Sequence, residues 1–134
     1  MTEKVMLASL RADLEREKQG DWVAYPLWQG VRFKVSALTL PAYETDRDLI
    51  FKRLNQQYKD ERIPKDVMSA ELGSLYAKHI LHDWEGLDVA YSVDTARQTL
   101  TDPGYRAVVA AVEWCAAKLS EIEAKFTKDE EGNS

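Results

Sequence analysis

An apolar stripe near the end of the chain constrains the fold more than any other feature. Apolar residues recur at spacings of three and four, which places them on one face of a single α-helix. No other stripe in the 134-residue sequence is as long. Its members are Tyr105, Val108, Val109, Val112, Cys115, Ala116, Leu119, Ile122 and Phe126. We therefore expect a long helix whose apolar face is the centre of one hydrophobic core.

The remaining patterns predict a mainly α protein of about four to five helices with one small N-terminal β-hairpin, a minor α+β character. Alternation of Val31, Phe33 and Val35 with polar residues predicts a strand, and residues 22–25 supply its hairpin partner. The other helices are predicted at 2–19, from Pro41 to about 59, from 64 to about 83, and from 92 to about 100. A chain of this length fits one domain, expected at 1–127, followed by a disordered polar tail at 128–134.

The stretch KHILHDWEGLD, residues 78–88, brings two histidines close to three carboxylates. His79 and His82 are three residues apart, so a helix would place both on one face. A zinc site needs three or four ligands, whereas the sequence has only these two histidines and one cysteine. Paired carboxylates such as Asp83 and Glu85 catalyse reactions only where their surroundings move their pKa values apart. We predict no metal site here; a small hydrolase using these four residues stays open as an alternative.

The same stretch has a structural interpretation, which we prefer. Asp83, Trp84 and Glu85 would form the last turn of the long helix, with Gly86 in the left-handed conformation that commonly ends one. Leu87 would then make the apolar contact that accompanies this motif, and the Trp84 ring would be a packing anchor.

Composition and charge reduce the classes of function and partner that we expect. The formal charge is −5, whereas nucleic-acid binding needs clustered cations, so we expect no nucleic-acid partner. No apolar run is long enough to span a membrane, and we expect neither a membrane partner nor a signal peptide. A single cysteine, Cys115, fits a reducing compartment such as the cytoplasm, and its apolar neighbours predict an inert thiol. Since no phosphate-loop, dinucleotide or nucleophile-elbow motif is found, we predict no catalytic residue and no cofactor, and we expect the protein not to be an enzyme.

The hairpin is rich in aromatic residues, more than one buried sheet face accommodates. Trp22, Tyr25 and Trp28 are therefore the candidate partner-binding residues, because exposed aromatic side chains on a small protein commonly mark such a site.

The order of these features resembles a known family. The segments that carry the likeness lie between Trp22 and Val109: WVAYP, VRFKVSAL, PAY, AKHILHDWEGLD and YSVDTARQTLTDPGYRAVV. They resemble the tail assembly chaperones of long non-contractile-tailed, lambda-like bacteriophages.

The resemblance implies a helical, non-enzymatic protein that binds the apolar tape measure protein and keeps it soluble during tail-tube assembly. It implies a location in the host cell cytoplasm, absence from the mature virion, and self-association into rings or spirals. It also implies contact with the major tail protein through a frameshift-extended form. A structural head-to-tail connector or tail-completion protein of the virion is the main alternative, since it would share the helical character and self-association.

Overall fold

Within the part of the chain that the structure describes, five helices and a small antiparallel sheet form the protein, as the sequence predicts. The computed structural model describes the backbone of residues 4–132 and the side chains of residues 4–122. The helices are α1 (Leu14–Gln19), α2 (Pro41–Tyr58), α3 (Lys65–Leu75), α4 (Val93–Thr101) and α5 (Arg106–Gly132). The strands are β1 (Asp21–Ala24), β2 (Arg32–Val35) and β3 (Leu81–Glu85). Short 3₁₀ turns lie at Leu7–Leu10 and Pro103–Tyr105, and a π-helical turn at Tyr76–Ile80.

Helix α5 is the centre of the molecule. It packs against β1, β2, α3, α4 and the π-helical turn. Val112, Cys115 and Ala116 of its predicted stripe are completely buried, together with Phe33 and Val35 of β2. The expected core is therefore confirmed for the middle of the stripe, from Val109 to Leu119. Tyr105 and Ile122 are exposed, and the side chain of Phe126 lies outside the described residues.

The predicted hairpin is confirmed, and a third strand extends it. The strand order is β1-β2-β3, with Phe33 paired with Val23 on one side and Trp84 on the other. These three residues share the face that contacts the core, whereas Trp22, Arg32 and Glu85 belong to the opposite face.

The third strand corrects the prediction that the long helix continues to about residue 83. Helix α3 ends at Leu75, the π-helical turn follows, and Leu81–Glu85 pairs with the free edge of β2. This pairing supplies hydrogen-bond partners to backbone groups that would otherwise be unpaired. It also buries both Leu81 and Trp84. Their spacing of three is typical of a helix, because residues three apart in a regular strand lie on opposite faces. A bulge in the pairing with Lys34 and Val35 brings both side chains to the same face, and the local pattern does not reveal it.

Gly86 therefore follows a strand, and the helix-end interpretation of residues 83–87 is wrong. Its φ of 91° is left-handed, as predicted, but the cause is tertiary: a Cβ there would lie 2.2 Å from the carbonyl oxygen of Gly30. Trp84 is buried as predicted, and its indole nitrogen donates to the Val89 carbonyl at 2.7 Å. Leu87 is half-buried against the core.

The N-terminal helix is interrupted rather than continuous. Residues 11–13 separate the 3₁₀ turn from α1, and the Asp13 side chain accepts a hydrogen bond from the Arg16 backbone at the start of α1. The apolar residues that would form its stripe are exposed: Val5, Met6, Leu7, Leu10 and Leu14. The predicted end of the helix at Gly20 is confirmed, with a φ of 77°. The predicted start, at residue 2, lies outside the described residues.

The last part of the chain was expected to be a disordered polar tail. The backbone of α5 runs to Gly132, and residues 133–134 lie outside the described part of the chain, so disorder of 128–134 stays a prediction.

Among the described residues, no helix combines the length and the apolar character required to cross a bilayer.

Candidate functional site

The turn between β1 and β2 carries two of the predicted partner-binding residues. After β1 ends at Ala24, the Tyr25 backbone N–H donates to the Val31 carbonyl at 3.0 Å. The Trp28 N–H donates to the Tyr25 carbonyl at 3.3 Å, which closes a turn containing Pro26. The two aromatic rings pack edge to face with centroids 4.9 Å apart. The turn thus holds Tyr25 and Trp28 as one unit.

This unit meets an aromatic side chain from the central helix. Trp114 of α5 packs edge to face on Tyr25, with ring centroids 5.8 Å apart. Tyr25 and Trp28 are half-buried against the core, whereas 40% of Trp114 and 77% of Leu27 remain exposed. We call Tyr25, Leu27, Trp28 and Trp114 the aromatic surface. A firmly packed base with exposed apolar tips is typical of a protein contact site.

Two exposed alanines lie beside Trp114 along helix α5. Ala110 lies one turn before Trp114 and Ala117 one turn after it, and both are exposed. The small side chains on this side of Trp114 allow another chain to approach closely, whereas the exposed Glu113 and Lys118 add charged groups beside it.

Trp22 belongs to a different surface. The Arg32 guanidinium lies 4.5 Å from the centre of its ring on the outer face of the sheet. Arg32 also forms an ion pair with Glu85, and this hydrogen bond lowers the pKa of the Glu85 carboxyl. The structure therefore brings together Tyr25 and Trp28 but not Trp22.

The sequence does contain signals for Trp114 and Leu27, the two residues of the aromatic surface that were not predicted. Trp114 falls between Val112 and Ala116 but off their buried stripe, so a helical projection places it on the solvent side. Leu27 is an apolar residue directly after Pro26, in a turn where polar residues are usual.

The two histidines have different partners. His79 Nε2 lies 2.7 Å from a carboxylate oxygen of Asp46 on α2, and Lys78 Nζ donates to the same oxygen at 3.0 Å. Both hydrogen bonds lower the pKa of the Asp46 carboxyl, and the bond with His79 has the larger effect. This arrangement ties the π-helical turn to α2.

His82 lies on β3 against the buried Ser36. Its Nε2 is 2.8 Å from Ser36 Oγ, and that hydroxyl donates to the Glu17 carbonyl of α1 at 2.6 Å. A hydroxyl has one proton, so His82 Nε2 is the donor to Ser36 Oγ. Burial, and secondarily the charge of Lys34, lower the pKa of His82.

The other polar residues of this stretch also have local partners. Asp83 accepts a hydrogen bond from the Trp84 backbone at 2.8 Å, and Glu85 is paired with Arg32. Within the side chains that the structure describes, no three His, Cys, Asp or Glu residues cluster as metal ligands would. Burial raises the pKa of the Cys115 thiol to about 11, so the thiol is protonated at neutral pH.

Comparison with protein families gives a match over most of the chain. The family profile described as YdaY prophage protein matches residues 38–133, well over half of the chain. The match includes Trp114 but begins after the hairpin that carries Tyr25 and Trp28. Neither curated proteins nor solved structures provide a significant match. The chain belongs to the phage-derived YdaY prophage protein family.

Proposed function

We propose that this prophage protein is a tail assembly chaperone. It binds the apolar, helical tape measure protein in the host cytoplasm, keeps it soluble, aids tail-tube assembly and is not retained in the virion. The proposal contains no catalytic step and requires no cofactor or metal ion.

The observation that carries the proposal is the aromatic surface. Tyr25 and Trp28 are fixed by the turn and by the core, so little side-chain entropy is lost when a partner covers them. Leu27 and Trp114 offer exposed apolar area beside the exposed Ala110 and Ala117 of α5. A helix with an apolar stripe is the partner that such a shallow surface accommodates.

Charge and repetition also support the proposal. The net charge of −5 favours solubility of a complex whose partner is apolar. A tape measure protein is long, so many copies of a weakly binding chain could coat it, and avidity would multiply each contact. The family's phage origin provides the biological setting.

The direct test is co-expression with the tape measure protein encoded nearby, read as the soluble fraction of that protein. The proposal predicts that it is soluble with this chain, aggregates without it, and copurifies with it in a pull-down. Equal solubility in both cases would contradict the proposal.

A second measurement separates the chaperone from the structural alternative. Purified virions should lack this chain, which quantitative mass spectrometry can establish. A fixed number of copies in each virion would indicate a head-to-tail connector or a tail-completion protein instead.

Self-association is the third part of the proposal. Repeating copies along a filament need a heterologous interface, which closes into rings or continues as a spiral. Light scattering should show a mass that increases with concentration. A monomer at every concentration, with and without the tape measure protein, would contradict this part.

A further inference from the structure

Strand β1 forms an edge of the sheet, and its outer side is open. The strand order is β1-β2-β3, and the principal neighbours of β1 are β2 and α5. Since the Tyr25 N–H bonds to the Val31 carbonyl, the alternation of an antiparallel ladder directs the backbone groups of Val23 to β2. The backbone groups of Trp22 and Ala24 point the other way. No described residue is hydrogen-bonded to these outward N–H and C=O groups.

The opposite edge of the sheet is closed by side chains of the same chain. On β3 the outward N–H of Trp84 donates to the Asp83 carboxylate at 2.8 Å, and the indole N–H donates to the Val89 carbonyl at 2.7 Å. Tyr91, in the loop after β3, donates to the Leu81 carbonyl at 3.5 Å. An open edge strand is a template for pairing with another chain, so β1 is the edge to which a further strand can be added.

We propose that β1 pairs with β1 of a second copy of this chain, antiparallel and about a two-fold axis at Val23, so that two three-stranded sheets become one six-stranded sheet. Such a contact is isologous and joins two copies only, so it is separate from the heterologous self-association proposed above. The hairpin turns of the two copies lie at opposite ends of the paired strands, which leaves Leu27 of both aromatic surfaces exposed.

The outward backbone groups determine the register of the pair. With the axis at Val23, Trp22 of each copy lies opposite Ala24 of the other, and each of these pairs forms two hydrogen bonds. All the outward groups are then used. An axis at Ala24 would place Trp22 opposite Pro26, which has no N–H. An axis at Trp22 would place Ala24 opposite Gly20, whose N–H is already bonded to the end of α1.

The side chains of β1 also suit this register. The Trp22 ring leans over β2, where the Arg32 guanidinium lies 4.5 Å from its centre, so the ring does not cross the open edge. Each pair then places the large Trp22 beside the small Ala24, and two β-branched valines meet at the axis. Asp21 lies opposite Tyr25 of the other copy, so no two like charges directly oppose each other.

The helix behind β1 leaves room for a second copy. Trp114 of α5 is turned onto Tyr25 at the end of β1, so Ala110 and Ala117, one turn away on either side, lie on the side of α5 nearest the open edge. Both alanines are exposed. A two-fold axis perpendicular to the sheet brings both α5 helices to the same face, where small side chains permit the usual packing distance of about 8–10 Å.

The test is amide hydrogen exchange of the full chain, followed by NMR at increasing protein concentration. The outward amides of Trp22 and Ala24 are unprotected in a single copy and hydrogen-bonded in the pair, whereas the Val23 amide is bonded to β2 in both states. Exchange at Trp22 and Ala24 should therefore slow with concentration, by about tenfold once about nine-tenths of the chains are paired. Exchange at Val23 should not change.

Two substitutions at one position separate the backbone contact from any effect of the side chain. Ala24→Pro removes an outward N–H but none of the bonds to β2, so exchange at Trp22 should become independent of concentration. Ala24→Ser is the matched control, because it keeps the N–H and a small side chain, and it should retain the slowing. Circular dichroism and protection at Val23 show whether each variant is folded, and the wild-type measurement decides the proposal if Ala24→Pro is not.

Three results would overturn the proposal. The first is exchange at Trp22 and Ala24 that does not slow up to about 1 mM protein, the weak end of specific association. The second is slowing at Trp22 that persists in folded Ala24→Pro. The third is slowing that occurs only after tape measure protein is added, which would make that protein the added strand. The wild-type measurement contains no tape measure protein, so it can succeed or fail independently of the chaperone proposal.

Discussion

The N-terminal segment, residues 4–19, and α5 show how two similar sequence patterns reach different structures. Both segments carry apolar residues at helical spacing, and both are predicted as amphipathic helices. Helix α5 is continuous and buries the middle of its stripe, from Val109 to Leu119, against the sheet, α3 and α4. Residues 4–19 are broken at 11–13, and Leu7 and Leu14 remain 84% and 58% exposed. A segment with helical periodicity therefore forms a stable long helix only where another part of the protein covers its apolar stripe.

Truncating the core anchor nearest to the sheet edge should have the largest effect on stability. Trp84 is 6% exposed and its indole N–H is hydrogen-bonded, so Trp84→Ala removes a large apolar volume and leaves the Val89 carbonyl unpaired. We expect a loss of about 3 to 5 kcal/mol in the free energy of unfolding. Urea denaturation followed by circular dichroism measures it. A loss below about 1 kcal/mol would show that the sheet tolerates a cavity there.

A leucine-to-alanine substitution made in each segment tests whether the stripe of α5 is buried and that of residues 4–19 is exposed. Leu119→Ala on the buried face of α5 should cost about 2 to 5 kcal/mol, because Leu119 is 7% exposed. Leu10→Ala in the N-terminal segment, where Leu10 is 45% exposed, should change stability by no more than about 0.5 kcal/mol. The two unfolding curves are measured under identical conditions. Similar losses would mean that the N-terminal stripe is packed in solution.

Gly86→Ala should have a smaller effect than the core truncations, through backbone strain. Its φ is 91°, and the added Cβ would lie 2.2 Å from the carbonyl oxygen of Gly30. Either the turn between β1 and β2, which contains Gly30, or the end of β3 must therefore shift. We expect a loss of about 1 to 3 kcal/mol. Gly104→Ala is the control, because the nearest atom to its added Cβ is a side-chain oxygen of Asp102 at 3.2 Å. An equally mild effect at both glycines would contradict this explanation.

Local patterns predicted the elements that local chemistry determines. Pro41 begins α2, the Ser92 side chain caps α4 by accepting from the Thr95 backbone, and Gly20 ends α1. The alternation around Phe33 identified β2 for the same reason. Each of these signals depends on residues only a few positions apart.

The features that were missed depend on contacts between distant residues. Strand β3 exists because Leu81–Glu85 meets the free edge of β2, more than forty residues earlier. Trp114 joins the aromatic surface because α5 passes beside the hairpin turn. Spacing within either segment does not report such meetings. Trp22 is a different case, because the alternation within β1 places it on the face opposite to Val23, and this local signal separates it from Tyr25 and Trp28.

We propose that the aromatic surface binds the tape measure protein, and two leucine variants provide the sharpest test of this binding. Leu27→Ser changes the surface, whereas Leu49→Ser makes the same substitution at a position on α2 that is 61% exposed and outside the surface. Both variants are compared in a quantitative pull-down of co-expressed tape measure protein, after circular dichroism shows that each is folded. We expect Leu27→Ser to capture less protein than Leu49→Ser, which should capture as much as the wild type. When Leu27→Ser is combined with Trp114→Ala, we expect at least about a tenfold loss of captured protein. Undiminished capture by the double variant would contradict the proposed binding.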